Sequence, residues 1–366
     1  MKLHIVHTVS DDGWGGAESV LWNLIQAQNQ SGEIYPSLIA LNDGRLSKMS
    51  KALGLKVQVV SESGHGFMDL AKNVHRAIAE LSPEIIHVHR YKELFLATIL
   101  SFLHRTPVIL TIHGNEPPAG MLLAIKTRIR DSALLALAKV AGARFVAVSQ
   151  DLRLRYGLSP QECKVVPNGI PIRDVSKPIR VWKGVSNASA PLIGWVGRMV
   201  PIKGLPILLE AVAMMTTSKQ MPSLLLVGDG PERLGLEALS RSLGISDRVH
   251  FTGHVQDPRR HLERMDLLAL PSFHEGVPLT LLEAFELGIP VVAAAVGGIP
   301  EIIGDSEGAC LVTSHRPQDW ADILLKLLAD HNKLASLCAN GQLLLRKRFS
   351  IEQMAQSYLE VYRSCV

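Results

Sequence analysis

A chain of 366 residues, 47% hydrophobic and 20% charged, is long enough for two domains and apolar enough to bury a core in each, which excludes a disordered protein. A net charge of only +4, with eight Phe, five Tyr and five Trp as the whole supply of stacking surfaces, argues against nucleic acid as a partner. The four cysteines, Cys163, Cys310, Cys338 and Cys365, form no C-x-x-C pair, which argues against a zinc cage or a thioredoxin-type site and suits a reducing cytosol.

Met1–Ser10 is too short and too polar for the apolar core of a signal peptide. No run of about 18 uncharged apolar residues occurs, so the expected location is cytoplasmic. Leu3–Val6 reads as a strand. A glycine-rich turn, Asp12–Gly16, follows it, then a helix through Glu18–Gln28. Further strand-like runs are Ser37–Leu41, Val57–Val60, Ile85–Val88, Val108–Ile112 and Phe145–Val148, with helical segments between them. Strands separated by helices of 10–15 residues are the mark of βαβ units and a mostly parallel sheet.

Arg173–Pro191 lacks periodicity and is rich in turn formers, so it reads as a linker. Beyond it the pattern resumes. Leu192–Val196, Ser223–Val227, Val249–Phe251, Leu267–Leu270 and Val291–Ala294 read as strands. Gly204–Met215, Glu232–Leu243, Pro278–Leu287 and Pro317–Ala329 read as helices. The fold class is therefore α/β, with two doubly wound Rossmann-like domains, residues 1–175 and 190–350. Ligands of such sheets bind outside the carboxyl ends of the strands, so two of them facing each other imply a cleft. Residues 1–173 hold 19 Lys and Arg against 14 Asp and Glu, so the basic charge belongs to the first domain.

Four motifs stand at strand ends. Glu275-Gly-Val-Pro-Leu-Thr-Leu-Leu-Glu283 follows the Leu267–Leu270 strand. Pro278 fits a first helical turn, and Glu275 sits at the helix mouth, where free N–H groups and the dipole favour a phosphate. Glu283 lies roughly 12 Å further on if helical, at about 1.5 Å per residue. One carboxylate could reach a sugar while the other accepts from a ribose. The second motif, Gly194-Trp-Val-Gly197-Arg198-Met-Val-Pro-Ile-Lys203-Gly204, puts two cations on one strand-to-helix loop, where they could clamp a diphosphate. The third, Gly15-Gly16-Ala17-Glu18, permits close backbone approach to a ligand but is no G-x-G-x-x-G. In the fourth, Thr111-Ile112-His113-Gly114, a strand points a histidine into the expected crevice. His87 and His89 read as structural. Val227-Gly228-Asp229-Gly230-Pro231 and Gly297–Glu301 are strand-end loops that could border a nucleotide or be simple turns. Met121–Ala143, with Lys126, Arg128, Arg130 and Lys139 among apolar residues, could lie on an anionic membrane or form a domain helix with a solvated face.

Taken in order, Gly15-Gly16-Ala-Glu18, Thr-Ile-His113-Gly, Val-Pro-Asn168-Gly, Gly197-Arg198…Lys203-Gly, Val-Gly-Asp229-Gly-Pro and Glu275-x7-Glu283 resemble the motifs of retaining GT-B glycosyltransferases of family 4. The resemblance runs from about residue 1 to 350. It implies a GT-B fold with an acceptor domain at 1–175 and a nucleotide-sugar domain at 190–350, and a last helix, 351–366, that packs back on the first. It implies His113, Arg198, Lys203 and Glu275 as catalytic residues. The donor site it implies is Gly15, Gly16, Gly197, Arg198, Lys203, Gly228, Asp229, Glu275, Gly276, Val277, Pro278, Leu279 and Glu283. Arg198 and Lys203 would hold the diphosphate, Glu275 and His113 the transferred sugar, and Glu283 the ribose. No metal and no cofactor is implied; the nucleotide-diphosphate sugar is a substrate, UDP slightly favoured over GDP. The acceptor would be a glycan or a lipid-linked sugar in surface polysaccharide or glycolipid assembly, with peripheral contact to the inner face of the membrane through 121–143. Two other readings share the phosphate clamps: a nucleotide-sugar epimerase, and a binding subunit without catalysis.

Overall fold

An unbroken run of Val, Ile and Leu is satisfied in a strand covered on both faces, and thirteen strands form two all-parallel sheets among the described residues. The computed structural model describes residues 2–62, 66–89, 106–114, 121–172, 190–215 and 221–366. Most of the Arg173–Pro191 linker lies outside them. The chain divides into two units, Met1–Pro171 with Ile351–Val366, and Ile172–Ser350.

The first unit holds β1 (Leu3–Val9), α1 (Gly16–Ser31), β2 (Ile34–Ala40), α2 (Arg45–Ala52), β3 (Val57–Val59), α3 (Phe67–Leu81), β4 (Ile85–Val88), β5 (Val108–Ile112), α4 (Met121–Val140), β6 (Arg144–Ala147), α5 (Gln150–Arg155) and β7 (Cys163–Val165). Its sheet order is β3-β2-β1-β4-β5-β6-β7. β2 begins before the expected Ser37, and Pro36 lies inside it. The missing N–H of Pro36 is harmless there because β3 pairs only from Leu38 onward, opposite Val57. A core of Val9, Leu21, Ile25, Leu38, Ala40, Leu46 and Leu55 joins β1 and β2 to α1 and α2.

The second unit holds β8 (Leu192–Val196), α6 (Leu205–Met214), β9 (Ser223–Val227), α7 (Arg233–Ser242), β10 (Val249–Phe251), α8 (Arg259–Leu262), β11 (Leu267–Leu270), α9 (Leu279–Leu287), β12 (Val291–Ala294), α10 (Ile299–Ile303), β13 (Cys310–Val312), α11 (Pro317–Ala329) and α12 (His331–Arg348). Its order is β10-β9-β8-β11-β12-β13. Trp195, Phe285, Trp320 and Phe349 are fully buried, each side chain contributing about 1.5–3 kcal/mol by leaving water. Pro278 is not in the first helical turn, as expected, but just before it. Its ψ of 123° is extended, and α9 starts at Leu279.

The last helix, α13 (Ile351–Arg363), belongs to the first unit. Ile351, Met354, Tyr358, Leu359, Val361 and Tyr362 are its buried residues, a stripe at helical spacing that packs on α1. The Ile351 N–H donates to the Ile170 carbonyl at 2.9 Å, and the Gly169 N–H to the Met354 sulfur at 3.1 Å. The Val-Pro-Asn168-Gly169 motif is thus the seat of this helix.

In α4, Lys139 pairs with Glu162 at 2.9 Å and Arg130 is exposed. The side chains of Lys126 and Arg128 lie outside the described residues. Among the described residues no helix is long and apolar enough to cross a membrane.

Candidate active site

In the second sheet the strand order reverses between β8 and β11. The loops that leave these two strands lie at their carboxyl ends, the place where ligands of doubly wound sheets bind. The loop after β8 carries Arg198 and Lys203, and the loop after β11 carries Glu275. The structure brings Lys203 and Glu275 together, with Lys203 Nζ 2.8 Å from Glu275 Oε1. The Ser272 hydroxyl donates to the same oxygen at 2.7 Å. The side chain of Glu275 is only 9% exposed and that of Lys203 25%, so the carboxylate is nearly dry while the ammonium keeps one side in water.

Backbone bonds knit the surrounding loops. The Phe273 N–H donates to the Ile202 carbonyl at 2.8 Å, and Met199 N–H to the Asp229 carbonyl at 2.8 Å. The Gly298 N–H donates to the Glu275 carbonyl at 3.0 Å. His315 bonds the Ser272 carbonyl at 3.1 Å and stacks on Phe273, ring centroids 4.7 Å apart. Two glycines are demanded by close approach. A Cβ on Gly228 (φ +127°) would lie 1.9 Å from the Gly197 carbonyl oxygen, and one on Gly297 (φ +55°) 1.9 Å from that of Glu275. Both positions combine a left-handed backbone with no room for a side chain.

The other expected donor residues of this unit lie on the neighbouring loops and on α9. Arg198 is exposed on its loop. Asp229 is exposed and engaged within its own loop. It accepts from the Gly230 N–H at 2.8 Å and pairs with Arg233 at 3.0 Å, and these bonds, the first above all, lower its pKa. Gly276, Val277 and Pro278 lead from Glu275 into α9, whose first N–H groups begin at Leu279, with no side-chain cap on Pro278. Glu283 is half-buried in the middle of α9. Sequence reasoning missed Ser272 and the Lys203–Glu275 pairing, for which the 72 residues between the partners leave no signal.

The remaining expected residues, Gly15, Gly16 and His113, belong to the first unit, whose sheet order reverses between β1 and β4. Gly15 and Gly16 are exposed at the start of α1, and the Gly15 N–H donates to the Glu18 carboxylate at 3.0 Å, an acidic group in the first turn that favours the helix.

His113 follows β5 and ends a buried polar layer. His7 lies opposite His87 in the β1–β4 register, and alternation puts His89, Thr111 and His113 on the same face of the sheet. His113 Nε2 is 3.3 Å from His89 Nδ1, and His89 Nε2 is 3.0 Å from His7 Nδ1. His7 Nε2 is 2.8 Å from Gln28 Oε1, and Gln28 Nε2 donates to Tyr362 Oη at 3.0 Å. Tyr362 Oη also bonds His87 Nδ1 at 2.8 Å. His87 Nε2 bonds Thr111 Oγ1 at 2.7 Å, and Thr111 bonds Tyr358 Oη at 2.9 Å.

Loss of water, above all, pushes His7 down to about 4 and holds His87 and His89 well below the ordinary histidine value, and burial raises Tyr358 and Tyr362. Ring nitrogens of His7, His87 and His89 come within 4.8 Å of one another. An ion there would have to displace hydrogen bonds, because both nitrogens of His87 are engaged by Tyr362 and Thr111.

Comparison with known proteins bears on the family and the fold. Residues 14–174 match the family model described as Glycosyltransferase Family 4, and residues 190–330 the one described as Glycosyl transferases group 1. The chain is 29% identical over 306 residues to a D-inositol 3-phosphate glycosyltransferase of Xylanimonas cellulosilytica, covering 76% of this chain and 71% of that protein. It is 33% identical over 222 residues to the enzyme of the same name from Segniliparus rotundus, covering 58% of this chain and 49% of that one, so the chain spans only about half of that relative. The crystal structure of Anabaena Alr3699/HepE in complex with UDP-glucose superposes with a TM-score of 0.83 at 24% identity, covering 99% of this chain and 100% of that one.

Proposed function

We propose, for a chain that belongs to the family 4, group 1 glycosyltransferases and has their GT-B fold, the transfer of a sugar from a UDP-sugar to an acceptor hydroxyl with retention of configuration. The observation that carries this reading is the Lys203–Glu275 pair at the strand-order reversal of the second sheet. Incoming diphosphate oxygens take the ammonium from Glu275, helped by Arg198 and by the N-terminus of α9. Gly197, Gly228 and Asp229 shape the loops beside it, and Gly276, Val277, Pro278 and Leu279 present backbone groups. Glu275, released from Lys203, accepts hydrogen bonds from sugar hydroxyls, and Glu283 takes the ribose. By resemblance, His113 hydrogen-bonds the transferred sugar and Gly15 and Gly16 approach the diphosphate.

In the transfer, the bond between the anomeric carbon and the β-phosphate oxygen breaks, and its electron pair leaves with UDP. The acceptor oxygen attacks on the same face and gives its proton to the departing phosphate. Lys203 and Arg198 stabilise the charge that develops there, without a metal ion. UDP is favoured over GDP on the strength of the Anabaena neighbour, whose complex contains UDP-glucose.

The acceptor on this reading is a glycan or lipid-linked sugar at the cytoplasmic face of the membrane, supported by the basic balance of residues 1–173. A second reading, a phosphorylated cyclitol, is favoured by the names of the curated relatives. Purified protein is supplied with UDP-, GDP- and ADP-sugars, and either inositol phosphate or lipid-linked glycans. UDP release that requires acceptor supports transfer, and the productive acceptor class separates the two readings. Sugar epimerisation without nucleotide release, or binding without turnover on any acceptor, contradicts it.

A further inference from the structure

Both protein donors on the Glu275 carboxylate fall on the same oxygen. Lys203 Nζ lies 2.8 Å and the Ser272 hydroxyl 2.7 Å from Oε1. Oε2 takes no donor among the described residues, and it is not one of the buried atoms left without a partner, so it is the oxygen that a ligand can reach. The two donors differ in freedom. The Lys203 ammonium sits on a long flexible stem and is 25% exposed. Ser272 is fully buried on a short side chain.

Ser272 is held by the peptide group that joins it to Phe273, which is tied at both ends. Its carbonyl accepts from His315 Nε2 at 3.1 Å, and its N–H donates to the Ile202 carbonyl at 2.8 Å. A carbonyl oxygen only accepts, so Nε2 of His315 carries the hydrogen. The His315 ring is itself held by its stack on Phe273, with 4.7 Å between centroids and 27° between planes. The loops after β8, β11 and β13 thus meet at this peptide group. Ile202 and Gly204 flank Lys203, and a Cβ on Gly204 would strike the Pro271 carbonyl oxygen. The backbones of the Lys203 and Ser272 loops are therefore packed as one piece. The ammonium can leave Glu275 through its own rotamers while Ser272 stays in place.

We propose that Ser272 is the positioning residue of Glu275, with His315 holding Ser272 from behind. When a diphosphate takes the ammonium, the Ser272 hydroxyl remains on Oε1 and keeps Oε2 turned toward the sugar hydroxyls. The inference rests on the reading of Glu275 as the group that accepts from the transferred sugar. Lys203 and Ser272 then have separate tasks on one oxygen: the first yields to the donor, and the second sets where the carboxylate points. His315, 43 residues from Ser272 in sequence, gains a part in the site without touching the sugar.

Calorimetric titration separates the sugar from the diphosphate. UDP-glucose, UDP-galactose and UDP-N-acetylglucosamine are each titrated into the full chain beside UDP, and the affinity for the tightest UDP-sugar is divided by that for UDP. Ser272→Ala removes the donor that shares Oε1 with Lys203, so Glu275 holds the ammonium harder and UDP binds more weakly as well; the ratio cancels that effect. The ratio is expected to fall about tenfold in Ser272→Ala, the loss of one hydrogen bond to a charged group. Glu275→Ala should lower it at least as far. Adding Ser272→Ala to Glu275→Ala should change the ratio by less than about twofold, because Ser272 acts only through Glu275. His315→Phe keeps the stack and removes the donor, and should lower the ratio about threefold or more, while His315→Gln returns an N–H to the carbonyl and should stay within about twofold of wild type.

A ratio lost in Glu275→Ala but kept in Ser272→Ala overturns the proposal and leaves the reading of Glu275 standing. Losses that add in the double variant overturn it too, since Ser272 would then act elsewhere. Where Ser272→Ala does not fold, the His315 variants decide, and equal ratios in His315→Phe and wild type overturn the proposal. A ratio unchanged in Glu275→Ala, or no nucleotide binding by folded wild type, overturns the reading of Glu275 itself and the proposal with it.

Discussion

Lys203 holds a nearly buried carboxylate, so removing it has a structural consequence separable from its chemical one. In Lys203→Met the Glu275 carboxylate keeps only the Ser272 hydroxyl as a side-chain donor on Oε1 and stays 9% exposed. Breaking a fully buried ion pair costs about 3–5 kcal/mol. Water reaches the ammonium side, which is 25% exposed, and screens part of the interaction, so about 2–3 kcal/mol is expected here. That corresponds to a fall of about 1 M in the urea midpoint of the second unit. Adding Glu275→Gln removes the stranded charge while its carbonyl oxygen still accepts from Ser272, so the double variant should regain more than half of the loss. Sugar transfer should be abolished in both. Urea unfolding followed by the fluorescence of Trp195 and Trp320 measures the first effect, and UDP release the second. A single variant as stable as wild type, or a double variant less stable than the single one, would refute the reasoning.

Other outcomes follow from the same geometry. Gly297→Ala should cost about 1–2 kcal/mol for the left-handed backbone alone, and its Cβ, 1.9 Å from the Glu275 carbonyl oxygen, must displace the Glu275 loop; on the proposed mechanism turnover should fall more than donor binding, measured by steady-state kinetics. Tyr362→Phe leaves Gln28 and His87 each short of a buried partner, so thermal unfolding should report a loss of about 1–3 kcal/mol. The pH dependence runs in the acid direction. His7 has a folded pKa of about 4 against 6.5 unfolded, so its contribution is whole above pH 6.5 and is lost as pH falls toward 4, where the unfolded chain binds the extra proton. His7 alone removes about 2 kcal/mol by pH 5, and chemical denaturation at pH 7 and pH 5 should show a loss at least that large. Glu283→Gln should weaken donor affinity, read by calorimetry on protein shown to be folded.

Most of the fold was legible because buried parallel strands read as unbroken apolar runs. Of the four three-residue strands, β3 and β10 were legible and β7 and β13 were not, since β7 alternates around the charged Lys164 and a run this short carries little period. α12 was obscured by Gly341, a poor helix former that is needed because a Cβ would meet the Phe285 ring at 2.5 Å. At the site, the glycines and charges at strand ends were visible as motifs, but pairing between loops 72 residues apart was not. The polar layer left a trace that was legible and under-read: His87 and His89 alternate with Ile86 and Val88, as Thr111 and His113 do with Ile112. Alternation gives the face but not the partner, and nothing local to Tyr358 and Tyr362 says that their helix returns to the first sheet.

The most direct measurement of the central claim is a calorimetric titration of UDP and of GDP into the wild-type chain and into the Lys203→Met/Glu275→Gln double variant. The account predicts that wild type binds UDP in preference to GDP, and that the folded double variant binds UDP about tenfold or more weakly, having lost the ammonium that meets the diphosphate. Equal UDP affinity in the two proteins, or no nucleotide binding by folded wild type, would contradict it.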